Sequence, residues 1–252
     1  IQEQASAPFF AYICFGSPHN PHQAAPEFKE LYKDQPPKKQ DYWGEVSGLD
    51  AAVGNLREAL KKLGLSENTL VWFTSDNGGI TPESQDPSGK GKGTLGCRTQ
   101  GLLEWPARIK NHVTTDIVAG HVDIYPTLLE VAGVTVPNQP VLDGISLLPP
   151  IEGRMKERTA PLGFMLWEKK RGGFESADFN QDTQGVWIDG KFKLVVEPAG
   201  KNVRLHDIYA DPAHTTNLAQ KHPETVSRMT EALRAWRNSV RAGFDGKDYA
   251  TH

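Results

Sequence analysis

Apolar positions along the chain change period several times, and each change predicts an element. The block PFFAYICF, residues 8–15, is continuous in apolar and aromatic side chains and predicts a buried strand close to the first residue. From Ser47 to Leu63 the apolar residues Leu49, Ala52, Val53, Leu56, Leu60 and Leu63 recur at helical spacing, and Gly64 follows as a stop. TLVWF, residues 69–73, reads as a second buried strand. Strand, helix, strand is the order of a βαβ unit, so the first part of the chain predicts a largely parallel sheet with helices packed on its faces. GLLEWPARI, residues 101–109, reads as a short strand closed by Pro106, and His121 to Gly133 as a short amphipathic helix ended by its glycine.

Beyond LDGISLLPP, residues 142–150, the pattern changes. Gly163 to Glu168, Gly185 to Val196 and Val203 to Tyr209 read as strands separated by turns, among them Asp189-Gly190-Lys191. Successive strands with short links predict an antiparallel sheet. A closing helix, Pro223 to Val240, places Val226, Met229, Leu233, Trp236 and Val240 on one face. The expected organisation is an α/β lobe over residues 1–157 followed by a small α+β subdomain over residues 158–252.

Composition narrows the function classes. The chain has 252 residues, 38% of them hydrophobic, and a formal net charge of -3, so it can build a sizeable core but has no general basic field for nucleic acid. No run approaches the ~18 apolar residues of a membrane span, and the first residues lack the basic start and cleavage site of a signal peptide. Cys14 and Cys97 are one distant pair, which supports no metal–cysteine site and leaves their redox state open.

The chemistry gathers where strands end. In LVWFTSDNGG, residues 70–79, an apolar run meets Asp76, Asn77 and two glycines, which places a carboxylate and an amide at the carboxyl end of a strand, where open α/β sheets bind ligands. Both offer hard oxygen donors suited to Ca²⁺ or Mg²⁺, although two ligands do not complete such a site. An ordinary strand-to-loop turn uses the same residue types. SPHNPHQAAP, residues 17–26, holds His19 and His22 just past the first expected strand, on the same edge; taken alone, each is more often a surface or core structural histidine. GKGKGT, residues 89–94, lacks the spacing of a nucleotide phosphate loop, yet a glycine-flanked Lys92 can approach a small tetrahedral anion closely. Trp43, Trp105 and Trp167 could stack on a sugar or arene or simply fill the core.

Taken in order, the segment at residues 8–26, the helix and strand running into SDNGG, then GKGKGTL, GLLEWPARIK, HVDIYPTLLEVAGV, LDGISLLPPI and LHDIYADPAHTTNLAQKHPE resemble the later part of the sulfatase family over nearly the whole chain. The resemblance implies an alkaline-phosphatase-like α/β fold, a mostly parallel sheet with helices on both faces, incomplete at its amino end. It implies hydrolysis of a sulfate ester carried by a small molecule or carbohydrate, with Ca²⁺, or Mg²⁺ in its place, and a formylglycine nucleophile. It also implies that Asp76 and Asn77 are metal ligands and that His19 and Lys92 contact the sulfate. A periplasmic, secreted or lysosomal location follows from the same resemblance.

Two departures accompany it. The Cys/Ser-x-Pro-Ser-Arg signature that carries the nucleophile is not in these residues, so the nucleophile and further metal ligands are expected in a segment upstream of them. The family's loop after the lysine is longer than GKGKGTLGCRTQG here, which leaves the roles of Lys92 and Arg98 dependent on register. A phosphoester or phosphonate ester hydrolase of the same superfamily, or a non-catalytic anion-binding relative, are the alternative readings.

Overall fold

The computed structural model describes residues 7–79, 99–167 and 177–248. The chain divides into two compact units, Ile1–His112 and Val113–His252, each described by itself.

In the first unit a short helix α1 (Pro26–Glu30) precedes a long one, α2 (Pro37–Lys62). The second starts ten residues before the apolar periodicity begins. Its early turns are polar on the outside but pack on α1, with Tyr32 edge-on to Trp43 at 5.5 Å, the Tyr32 hydroxyl 2.7 Å from Ser47 Oγ, and Lys29 paired to Asp41 at 2.8 Å. Gly44 makes that approach possible, since a Cβ there would lie 2.6 Å from the Ala24 Cβ. At the other end Gly64 adopts φ +70°, and the amides of Gly64 and Leu65 close back on Lys61 O and Leu60 O at 3.0 and 2.9 Å. This double closure satisfies the last helical carbonyls and stops the helix where the sequence places its glycine.

Strand β1 (Val71–Thr74) pairs antiparallel with β2 (Gly101–Glu104), in register from Val71 opposite Glu104 to Thr74 opposite Gly101. Arg57 of α2 grips Glu104 through Nε and Nη2 at 2.5 and 2.9 Å, which ties the long helix to β2 and holds Glu104 below the usual carboxylate range. Trp105, directly after β2, is buried with the Arg108 guanidinium 5.4 Å from its ring, so it serves packing. The strand expected over residues 8–15 does not form. The segment has no ladder partner among the described residues, and Phe10 and Tyr12 are 73% and 83% exposed. Hydrophobic content alone does not make a strand; a neighbour must take its N–H and C=O groups.

The second unit opens with a 3₁₀ turn at His121–Asp123 leading into α3 (Ile124–Ala132), followed by α4 (Leu148–Ile151). Gly133 ends α3 at φ +63°, as its position in the sequence predicts. A four-stranded antiparallel sheet follows in the order β3 (Leu162–Trp167), β4 (Thr183–Asp189), β5 (Phe192–Val196), β6 (Arg204–Asp207), with α5 (Phe179–Asp182) leading into β4. Asp189 stands opposite Phe192, so Gly190-Lys191 is the two-residue turn, with Gly190 at φ +56°.

The closing helix α6 (Pro223–Phe244) lays Met229 and Leu233 against Trp187, Leu194, Val196 and Leu205, with Trp236 beside them. Two glycines let the helix come this close. A Cβ on Gly163 would lie 2.6 Å from the Trp236 indole, and one on Gly185 would overlap Arg237 and Leu233. The opposite face is also covered, because Val186 and Val195 are fully buried there and the Leu162 side chain packs against Gly120.

Candidate functional site

The end of β1 presents the residues the sequence singles out. Asp76 is exposed and Asn77 half-buried. Ser75 organises the turn between strand and glycines: its hydroxyl donates to Asn77 O at 2.9 Å and stands 3.5 Å from Asp76 Oδ1. Asn77 donates Nδ2 to Gly78 O at 3.2 Å, which commits the amide nitrogen and leaves the amide oxygen as its acceptor. Among the described residues no lysine or arginine forms an ion pair with Asp76. One carboxylate and one amide oxygen thus stand on consecutive residues at the end of β1, and both are donor types suited to a hard divalent cation. They are part of a shell, and no group of three or more His, Cys, Asp and Glu side chains arranged to hold a metal occurs among the described residues.

The loop carrying His19 and His22 is held by α2. The Gln23 amide donates to Glu45 Oε1 at 2.6 Å, and the His22 ring meets Tyr42 edge-on at 4.9 Å. His22 Nε2 lies 3.1 Å from Pro18 O, which spends that ring nitrogen on the backbone of the loop itself. His19 is exposed, with its amide bonded to Gly16 O at 3.0 Å and Nδ1 2.8 Å from Asn20 O. That bond makes Nδ1 the protonated nitrogen of the neutral ring and leaves Nε2 without a hydrogen bond among the described residues. No hydrogen bond or ion pair joins His19 to Asp76 or Asn77 among the described residues.

The supports of this loop escape a reading by residue type. Tyr42 and Glu45 lie three apart on α2 and so share a face, which was the one available signal; their contact with a loop some 20 residues earlier is tertiary. Lys92, Arg98 and Cys97 lie outside the described residues, as does the side chain of Trp167. Cys14 is a free, exposed thiol, and Trp43 is engaged with Tyr32 and Lys39.

Comparison with known proteins agrees with the resemblance. The sulfatase family profile matches residues 1–134, and the profile for the carboxyl-terminal part of N-sulphoglucosamine sulphohydrolase matches residues 96–239. Human arylsulfatase A is 36% identical over 234 residues, covering 87% of this chain and 42% of its own length. Among solved structures, Ps i-CgsB in complex with k-i-k-neocarrahexaose superposes with a TM-score of 0.79 at 22% identity, over 97% of this chain and 56% of that one. The phosphonate monoester hydrolase of Agrobacterium radiobacter has a TM-score of 0.59 at 26% identity, over 79% of this chain and 42% of that one. The chain spans half or less of the length of the curated relatives it matches. With the profile over its first 134 residues and a curated relative 36% identical over 87% of this chain, the chain belongs to the sulfatase family.

Proposed function

We propose that these residues are part of a sulfuric ester hydrolase and supply one wall of its sulfate site. The observation that carries this is the pair Asp76 and Asn77, whose oxygens are presented without an ion-pair partner among the described residues at the end of β1. In this reading both are ligands of a divalent cation, Ca²⁺ by preference and Mg²⁺ as the alternative, with further ligands supplied by other parts of the protein. Such an ion, when bound, offsets charge on the ester oxygens.

His19 keeps Nδ1 on the Asn20 carbonyl and, protonated, donates from Nε2 to a sulfate oxygen; the brace from Glu45 and Tyr42 through Gln23 and His22 sets that direction. Lys92 joins as a second cationic contact. Together they stabilise charge that builds as the ester bond lengthens. The nucleophile is assigned to a formylglycine in a segment preceding these residues. Residues 1–157 are accordingly read as part of the catalytic domain and 158–252 as the small subdomain.

A sulfated carbohydrate is the favoured substrate class, because the neighbour with the higher TM-score is described with a bound oligosaccharide. The likeness to a phosphonate monoester hydrolase supports a second reading, in which the same anion contacts serve a phosphonate ester. One experiment separates these outcomes. The whole protein is assayed on an aryl sulfate and an aryl phosphonate monoester, and Asp76→Ala is compared for activity and for metal content by elemental analysis. Sulfate turnover that falls together with bound metal in the variant is expected. Preference for the phosphonate selects the second reading, and full stoichiometric metal in Asp76→Ala removes Asp76 from the ligand set.

A further inference from the structure

His206 is a buried polar side chain of the second unit with one ring nitrogen unpartnered among the described residues. It lies on β6, 3% exposed, on the face of the sheet turned away from α6. Its Nδ1 is 2.9 Å from the carbonyl of Thr216, so the neutral ring carries its proton there. Nε2 is buried and meets no hydrogen-bond partner among the described residues. Around the ring stand Lys193, directly opposite on β5 and 5% exposed; Arg204 on β6 itself; and Asp211 and His214 from the following loop, the His214 ring 5.2 Å away.

The loop that His206 holds is also attached at both ends, at its start through Asp211 N, which donates to Asp207 O of β6 at 2.9 Å. Leu218 N donates to Leu205 O at 2.7 Å, and Asn217 Oδ1 accepts from Leu205 N at 3.0 Å. Inside the loop Asp211 accepts from Thr216 N and Thr215 Oγ1, which holds Asp211 below the usual carboxylate range and keeps it charged through the mildly acid region. His214 occupies a left-handed turn at φ 54°. The bond from His206 to Thr216 is one side-chain tie of this loop to the sheet, beside that of Asn217, and it is the one that carries a titratable group.

We propose that His206 is an acid-sensitive latch, pinning the loop from Asp211 to Leu218 on β6 while neutral and releasing it when protonated. A proton on Nε2 would create a buried donor without an acceptor among the described residues and a third cation beside Lys193 and Arg204, opposed by Asp211, while Glu197 is already paired to Arg204. Burial, the larger effect, holds the imidazole below its ordinary value of 6.5. The sign follows. The released or unfolded form takes up the proton at the ordinary value, before the latched form does, so attachment is complete above about pH 6.5 and weakens as pH falls from there towards the lowered value.

The test is backbone hydrogen exchange of the protein between pH 7.5 and 5, corrected for intrinsic rates and read at the Thr216 and Leu218 amides, with the His206 ring titrated by NMR. Protection at these amides should fall by up to tenfold per pH unit once the pH is below the ordinary value, the limit for one coupled proton. His206→Asn, whose amide nitrogen can replace Nδ1 towards Thr216 but does not titrate, should make protection independent of pH. His214→Asn, which tolerates the left-handed turn, should leave the pH dependence in place. Flat protection in the unaltered protein overturns the latch even if neither variant folds, as does a ring that titrates at or above 6.5. Loss of the dependence in His214→Asn reassigns it to that histidine and also overturns the proposal.

Discussion

At the scale of single residues, Asp123 shows what one buried charge can organise. It is fully buried, and each oxygen accepts two hydrogen bonds: Oδ1 from Arg158 Nη2 and Ile145 N at 2.9 and 2.8 Å, Oδ2 from Arg158 Nη1 and Gly120 N, both at 2.7 Å. Three chain segments meet on one carboxylate. Removing the charge leaves the Arg158 guanidinium buried without its counter-ion, and breaking such a pair costs about 3–5 kcal/mol. Asp123→Asn should therefore lower the urea midpoint sharply, and Asp123→Asn with Arg158→Met should recover part of the loss; additive losses would show that the pair is not coupled. None of this is legible in the sequence. Asp123 reads as a polar position in the first turn of the helix expected from His121, and its partner lies 35 residues further on. Asp76 and Asn77 are legible because their chemistry comes from adjacency to a strand end, which is local information.

At the scale of elements, α6 and the antiparallel sheet are read correctly because both carry their period within their own residues. Alternation along β4 to β6 and the apolar face at Met229, Leu233 and Trp236 need no partner to be recognised. The glycines on the sheet are different. Gly163 and Gly185 look like weak points in strands, yet they are the places where α6 comes close enough for Trp236 and Arg237 to lie on the backbone. Gly185→Ala should therefore destabilise by about 1–3 kcal/mol, as overpacking does, despite its higher intrinsic strand propensity. A chemical denaturation series comparing it with Gly190→Ala would separate the causes, since Gly190 meets nothing within 4 Å and its cost is backbone strain at positive φ. An unchanged midpoint in Gly185→Ala would mean that Arg237 and Leu233 can move aside.

For the whole molecule, the main departure from expectation is the apolar stretch at residues 8–15, which is extended and unpaired among the described residues. Phe10, Tyr12, Ile13 and Phe15 are exposed together, a cluster of a kind that monomeric surfaces rarely carry. These 252 residues expressed by themselves should accordingly self-associate, and Phe10→Ser with Tyr12→Ser should reduce the associated fraction in sedimentation velocity. A monodisperse unaltered chain at tens of micromolar would remove that reading. What the sequence by itself determined is what local physics decides: the glycines that end α2 and α3, the hairpin turn at Gly190-Lys191, the period of α6, and the carboxylate and amide delivered at the end of β1. Only the tertiary structure decided the early turns of α2, which pack on α1, and, among the described residues, the unpaired state of residues 8–15 and the unpartnered ring nitrogen of His206. The division follows from range: caps, turns and periods are stabilised within a few residues, whereas pairing, burial and the loss of a hydrogen-bond partner depend on groups brought close from far along the chain.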